Sequence, residues 1–393
     1  MSSSTTYRIT SIDILRGTIM IIMALDHTRD FFHATAMTAD PLAPATTTPA
    51  FFFTRWITHF CAPTFVFLSG LSAYLSSQKK SSADASLFLI NRGLWLIFVE
   101  MVFVSFGLTF DPKFRFIIWQ VIWAIGCSMI ILGIIRQLST RWILVTGLIL
   151  FFGHDLVNIR YVNLPQTGTI ADLIRMLFTT FGNIIPINSA HVIGDFYAIL
   201  PWTGVMLIGY GIGYWFTKEY PAEKRKRNLL ISGLSMIALF IILRFINKYG
   251  DPSPRIELNS WRSFLSFMNT SKYPPSLMFS CMTLGPSLIF LALSENIKAG
   301  WSKIVSVYGR VPFFYYILHF YLLHILLVIV FYASGHTQVR DPNSLFLFRP
   351  VNFGYPIWIV YIIWLSVVAS LYLPCRWFYK YKMSHRQWWL KYL

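Results

Sequence analysis

The sequence is poor in charge, poorest in acidic groups, and has almost nothing that reads as a soluble linker. Only 12% of its 393 residues are Asp, Glu, Lys or Arg, and 16 of those are acidic. Soluble domains carry roughly 25% charged residues, so a chain solvated chiefly by water is excluded. Cysteine is scarce too. Cys61, Cys127, Cys281 and Cys375 stand far apart, a spacing that supports neither a zinc site nor a disulfide framework. Packed free thiols and no bound metal are expected. No cleavable leader is evident, because the first apolar stretch is interrupted by Arg16 and has no small-residue cleavage site behind it. Without low-complexity tracts or a clear internal repeat, residues 1–393 read as one domain.

What the chain has is oil and aromatic rings: 55% hydrophobic and 18% Phe, Trp or Tyr. A span needs about 20 apolar residues to cross a hydrocarbon core of about 30 Å. About ten runs qualify, at 11–32, 52–75, 87–109, 114–135, 141–157, 192–216, 228–247, 276–294, 307–333 and 355–379. An amphipathic piece at 173–187 reads as interfacial or re-entrant. The expected architecture is therefore an all-α polytopic helix bundle in a lipid bilayer. The net charge of +17 is spread over loops rather than gathered on one helix, so it speaks for topology and against nucleic acid. With the N-terminus inside, about 20 of the 33 Lys and Arg fall in inside loops, as the positive-inside rule requires. An even number of spans then puts both termini in the cytoplasm.

The first span is the anomaly. "RGTIMIIMALDHTRDFFH" packs Asp26, His27, Arg29, Asp30 and His33 behind an oily run. Arg16 and His27 are eleven residues apart, three turns plus about 20°, so they share a face about 16 Å apart along the axis. Asp13 is placed to pair with Arg16. Only nine residues, Gly17 to Leu25, separate Arg16 from Asp26, a rise of about 14 Å, too short to cross a bilayer. At least one polar end must therefore lie at membrane depth, where ionisable groups face protein or a wet cavity and mark function. His27 beside Asp26 or Asp30 has the elements of a general base.

Other polar groups fall at membrane depth. His59 sits one turn before Pro63, which invites a kink. Glu100 is the one acid in its run. His191 and Asp195 share a face if the sixth span is helical there, and His319 and His324, five apart, point in different directions. Gly209 and Gly213 form a small-xxx-small pattern that favours close helix packing. Nothing in these histidines specifies the paired geometry of haem ligation.

The stretches "RITSIDILRGTIMIIMALDH", "FFTRWITHFCAPTFVFLSGLSAYL", "NTSKYPPSLMFSCMTLGP" and "YGRVPFFYYILHFYLLH" resemble, in that order, the bacterial membrane proteins related to heparan-α-glucosaminide N-acetyltransferase, the DUF1624 group. The Arg-x10-His spacing of Arg16 and His27 is similar to that of the acyltransferase-3 family. The resemblance implies an acetyltransferase of the bacterial inner membrane with cytosolic acetyl-CoA as donor and an extracytoplasmic saccharide as acceptor; a homodimer is compatible with it. The resemblance also brings in His33, which stands where the family's loop histidine falls, and His59, which stands where a luminal Asp falls.

The expected mechanism is general-base removal of a proton from an acceptor amine or hydroxyl. His27 is the first choice, assisted by Asp26 or Asp30, with His33 second and His59 third. A transient acetyl-histidine is the alternative route. Arg16 is expected to hold the acetyl-CoA end of the passage, since guanidinium forks suit phosphate and carbonyl oxygens. Lys79, Lys80 and Arg92 read first as positive-inside residues and second as recruiters of the anionic donor. The competing function is a transporter of a small polar or sugar-like solute, because polar residues and prolines at membrane depth also suit an alternating-access site.

Overall fold

The computed structural model describes residues 9–161, 170–179, 183–297, 299–342 and 344–392. Helix α1 (Thr10–Phe32) is followed by α2 (Pro49–Thr58) and α3 (Cys61–Ser77). Next come α4 (Ser82–Val99), a π turn over Glu100–Val104, and α5 (Ser105–Thr109). Strand β1 (Phe116–Trp119) leads into α6 (Val121–Ile135), then α7 (Thr140–Tyr161) and α8 (Ile170–Thr179). Strands β2 (Asn183–Pro186) and β3 (Val192–Asp195) precede α9 (Ile199–Gly211) and α10 (Ala222–Ile246). The chain ends with α11 (Ser260–Met268), α12 (Leu277–Leu293), α13 (Gly300–Arg310), α14 (Pro312–Ala333) and α15 (Ile357–Ser384).

Among the described residues, six helical segments are long and apolar enough to cross a membrane: Pro49–Ser77, Ser82–Thr109, Ala222–Ile246, Leu277–Asn296, Pro312–Ala333 and Ile357–Ser384. The protein is thus a mostly helical membrane protein. Helix α1 is missing from that set because its own charges spoil its hydropathy. It packs instead against α2, α3, α12, α13, α14 and α15, and Asp13, Asp26 and Arg29 are all buried on it. Helices α10 and α15 show the opposite habit, exposing large apolar side chains such as Ile242, Phe245, Leu365 and Leu373. The oiliest helices face outward and the charged one is enclosed, as expected where the solvent is lipid.

Three sequence expectations change here. Residues 114–120 and 192–195 are not helix: β1 pairs parallel with β3, and β2 antiparallel with β3, in a sheet ordered β1-β3-β2. Short apolar runs of this kind read alike as strand or helix by periodicity. The all-α expectation thus gains a small sheet, and His191 and Asp195 lose the helical spacing assumed for them. The run 307–333 is also two helices, because Pro312 opens α14 at a position that favours proline. The amphipathic stretch 173–187 is α8 up to Thr179 and β2 from Asn183, while 180–182 lie outside the described residues.

Two close approaches set the site. A Cβ on Gly309 would stand 1.9 Å from the Asp13 carbonyl oxygen, and one on Gly17 would stand 2.0 Å from that of Val305. Glycine at both positions lets α13 lie backbone to backbone on α1. The Gly209 expectation is met in the same way: its Cβ would stand 2.2 Å from the Phe67 carbonyl oxygen, and one on Gly70 would stand 2.0 Å from that of Met206. Helix α9 therefore lies directly on α3.

Candidate functional site

One face of α1 lines two cavities in succession. Arg16 and Met20 line a cavity of about 370 Å³. Met23, Asp26, His27 and Asp30 line a second of about 80 Å³. Positions 16, 20, 23 and 27 follow the helical period, so the shared face expected for Arg16 and His27 is present. Phe65, Val121 and Tyr316 belong to both walls, so side chains of α3, α6 and α14 stand between the two cavities.

The larger cavity is basic at its polar points and apolar between them. Arg16, Arg92, Arg310 and Lys382 all reach its wall, whereas Lys79 and Lys80 do not. Arg16 Nη2 donates to Ser72 Oγ at 2.8 Å and Nη1 donates to the Gly309 carbonyl at 3.4 Å. Asp13 lies 3.7 Å from Arg310 Nε. The donor set suits an anionic, phosphate-bearing chain with an apolar arm.

The smaller cavity holds the charges that the sequence singled out, in an arrangement the sequence did not give. The Asp26 carboxylate is clasped by Arg55 of α2 and lies 3.1 Å from Arg29 Nη2. The same Arg29 nitrogen donates to Asp30 at 2.6 Å. Both acids are therefore engaged by arginines rather than by the imidazole next to them. The His27 ring leans on Phe320 at 4.4 Å and on His319 at 5.3 Å, centroid to centroid. His319 is fully buried, and its Nδ1 lies 3.3 Å from the Tyr315 carbonyl oxygen. That contact requires an N–H at Nδ1 and leaves Nε2 as the lone-pair nitrogen.

The other two histidine candidates are placed elsewhere. His59 caps α2 at the break before α3, wholly buried, with its ring 5.3 Å from Phe279 and both nitrogens without a hydrogen-bond partner. It is absent from the wall of either cavity. The kink ascribed to Pro63 is realised as a fresh helix start, with Pro63 in the first turn of α3, where its missing N–H breaks no helical bond. His33 lies beyond the end of α1, stacked on Phe51 at 4.7 Å, and its Nδ1 accepts from Thr35. It too is off both walls. His324 is held by the Gly107 and Leu347 carbonyls and stacks on Phe110 at 4.0 Å. His191 sits in a turn against Asn188 and Lys113.

Partial burial, then the charges of Arg29 and Arg349, hold the His33 imidazole below the ordinary histidine value. The unfolded chain therefore binds the extra proton first as pH falls, and stability drops as pH falls from about 6.5 toward the folded value. The expected result is a thermal midpoint that declines over that window in wild type and declines less in His33→Asn. Melting curves in detergent between pH 5 and 7.5 check it; parallel curves for the two proteins would sink it.

Several wall residues were not anticipated. Arg55 is an arginine inside an apolar span, a signal that was there to be used. Gln120 and Tyr197 arrive directly after β1 and β3, so the small sheet is what carries them to the cavity. Glu100 accepts from the Gln120 backbone N–H at 2.7 Å, and so ties the π turn to that corner. Lys272 and Tyr273 come from the loop before α12, and no local pattern links them to α1.

Two cavities thus lie along one face of the charged helix α1, one with Arg16 on its wall and the other with His27. Residues 8–245 match the model of the heparan-alpha-glucosaminide N-acetyltransferase catalytic family, more than half of the chain. The chain belongs to that family, and with it to the acetyltransferases. No curated protein matches the chain.

Proposed function

We propose that the protein moves an acetyl group from cytosolic acetyl-CoA to an amine or hydroxyl of an extracytoplasmic saccharide. The membrane arrangement that goes with this reading has about ten spans with both termini in the cytoplasm, in the inner membrane of a bacterium, with a DUF1624-type member of the family as the natural parallel. The observation that carries this reading is the pair of cavities that lie along one face of α1, with Arg16 in one and His27 in the other. A donor and an acceptor entering from opposite membrane faces need two such adjacent chambers.

Acetyl-CoA supplies an activated thioester. Arg16, with Arg92, Arg310 and Lys382 around it, binds the anionic end of the donor and keeps it in the larger cavity. The stretch between the cavities at Phe65, Val121 and Tyr316 is apolar enough to admit an acylated arm and to restrict water. His27 faces the acceptor side and takes the proton that the attacking nitrogen or oxygen must lose. His319, its ring 5.3 Å from that of His27, supports the His27 ring from behind.

Arg16→Gln removes a charge-assisted contact worth about 1.5–3 kcal/mol. The expected result is a KM for acetyl-CoA raised roughly 10- to 100-fold, with kcat largely kept. Initial rates of purified protein in nanodiscs, with labelled acetyl-CoA and a glucosamine acceptor, measure it. If wild type neither binds acetyl-CoA nor acetylates any amino sugar or hydroxyl sugar, the reading is wrong.

A further inference from the structure

We propose that Lys272 is the oxyanion-stabilising group of the smaller cavity, a catalytic residue held in place by Asp251, Asp155 and His154. The inference rests on the acetyltransfer reading above.

Among the cations of this cavity, only one is left for the reaction. Arg55, the other cation on its wall, is committed to Asp26. Lys272 lines the same cavity as His27, is only 9% exposed, and makes no ion pair among the described residues. Its ammonium donates to the Tyr273 hydroxyl and lies 5.1 Å from that ring's centre, contacts that hold the group while a lysine ammonium still has further N–H donors to offer. A buried ammonium without a carboxylate is costly. A site that tolerates one gains from negative charge arriving there.

The loop that presents Lys272 is braced on both sides. The Ser271 N–H and the Ser276 hydroxyl both donate to one Asp251 oxygen, at 2.9 and 2.7 Å. The Leu277 N–H donates to Asp155 at 2.9 Å, and His154 Nε2 stands 2.8 Å from the Pro275 carbonyl oxygen. The Ser276 N–H closes the turn onto the Ser271 carbonyl at 3.0 Å. His154 and Asp155 come from α7 and Asp251 from the stretch after α10, so elements distant in sequence grip four of the seven residues 271–277. Such a brace fits a requirement for fixed position, which is what electrostatic preorganisation demands.

The chemistry needs such a group. As the acceptor nitrogen or oxygen bonds to the acetyl carbonyl carbon, negative charge grows on the carbonyl oxygen, and an N–H of Lys272 donates to that oxygen. His27 holds the proton lost by the acceptor. When the carbon–sulfur bond breaks, its electron pair stays on sulfur, which takes that proton and leaves as the free thiol. No oxidant, reductant or further reactant is required.

The test compares wild type, Lys272→Met, Lys272→Arg and Asp251→Asn in nanodiscs, using acetyl-CoA with glucosamine and with a glucuronic-acid-linked glucosamine disaccharide. Lys272→Met is expected to lower kcat by about 100- to 1,000-fold, with acetyl-CoA affinity and the KM for both acceptors within threefold of wild type. Lys272→Arg is expected to recover at least tenfold of that loss. Asp251→Asn, which leaves Lys272 intact but weakens its brace, is expected to lower kcat about tenfold with unchanged acetyl-CoA binding. A Lys272→Met protein that keeps its kcat overturns the proposal. So does one that loses only affinity for the acidic disaccharide, which would make Lys272 an acceptor anchor. A wild type that binds no acetyl-CoA and transfers nothing fails the acetyltransferase reading itself, a result distinct from either.

Discussion

Replacing His27 with alanine is expected to slow acetyl transfer by about 10²- to 10⁴-fold, the usual contribution of a positioned general base, while acetyl-CoA still binds. The two effects separate because the cavities are distinct. Arg16 and its neighbours stand in the 370 Å³ cavity, and His27 stands in the 80 Å³ one beyond Phe65, Val121 and Tyr316. His33→Ala and His59→Ala serve as the comparison, since neither residue is on either wall. Both are expected to stay within about fivefold of wild-type kcat at neutral pH, so the contrast between the three histidines carries the result. Turnover by His33→Ala falling as far as that of His27→Ala would move the base to the end of α1 and reject His27. A stable acetyl adduct on His27, trapped by mass spectrometry in the absence of acceptor, would select the two-step route over direct transfer.

Asp26→Ala is expected to be the most damaging single change to the fold. It removes the carboxylate clasped by Arg55 and shared with Arg29, leaving the buried Arg55 guanidinium without its carboxylate and Arg29 with Asp30 alone. Breaking a buried pair by deleting one partner typically costs about 3–5 kcal/mol. Loss of monodisperse protein on extraction and a lowered thermal midpoint are the expected readouts. The double change Asp26→Ala with Arg55→Met removes the charge on both sides and is expected to regain part of that stability. If the double variant is no better than the single one, the damage comes from lost packing and the ion-pair account is wrong.

The sequence showed the polar face of α1 because that information is local: the helical period alone puts positions 16, 20, 23 and 27 together. The outward-facing helices were legible for the same reason, since a long apolar run has few alternatives. The strands were not, because β1 and β3 are four residues each, sit at the mouths of α6 and α9, and differ from a helix start only in whom they pair with. The partner of Asp26 was not legible for a related reason. Asp26 was judged by its neighbour in the chain, but the group that binds it is Arg55, one helix away. Lys272 and Tyr316 come to His27 from 245 and 289 positions down the chain, and no spacing rule reaches that far. The break at Val311 could have been read, because "GRVPFF" puts a proline where a new helix begins.

The contact between α1 and α13 bears on how the protein is made. Helix α1 precedes α13 in the chain and carries Asp13, Arg16, Asp26, Arg29 and Asp30, and each charge near the centre of an isolated helix costs about 2.5–3.5 kcal/mol to insert. The Gly309 carbonyl that accepts from Arg16 is 293 residues away, and Arg310 beside it is what reaches Asp13. During synthesis, α1 therefore has to wait, shielded at first by α2 and α3, until nearly the whole chain has emerged. A chain stopped at residue 245, where the family match ends, would contain every charge of α1 but neither the glycine-lined bed of α13 nor the loop that carries Lys272. The contacts that enclose the charges of α1 therefore cannot be completed before α13 has been made.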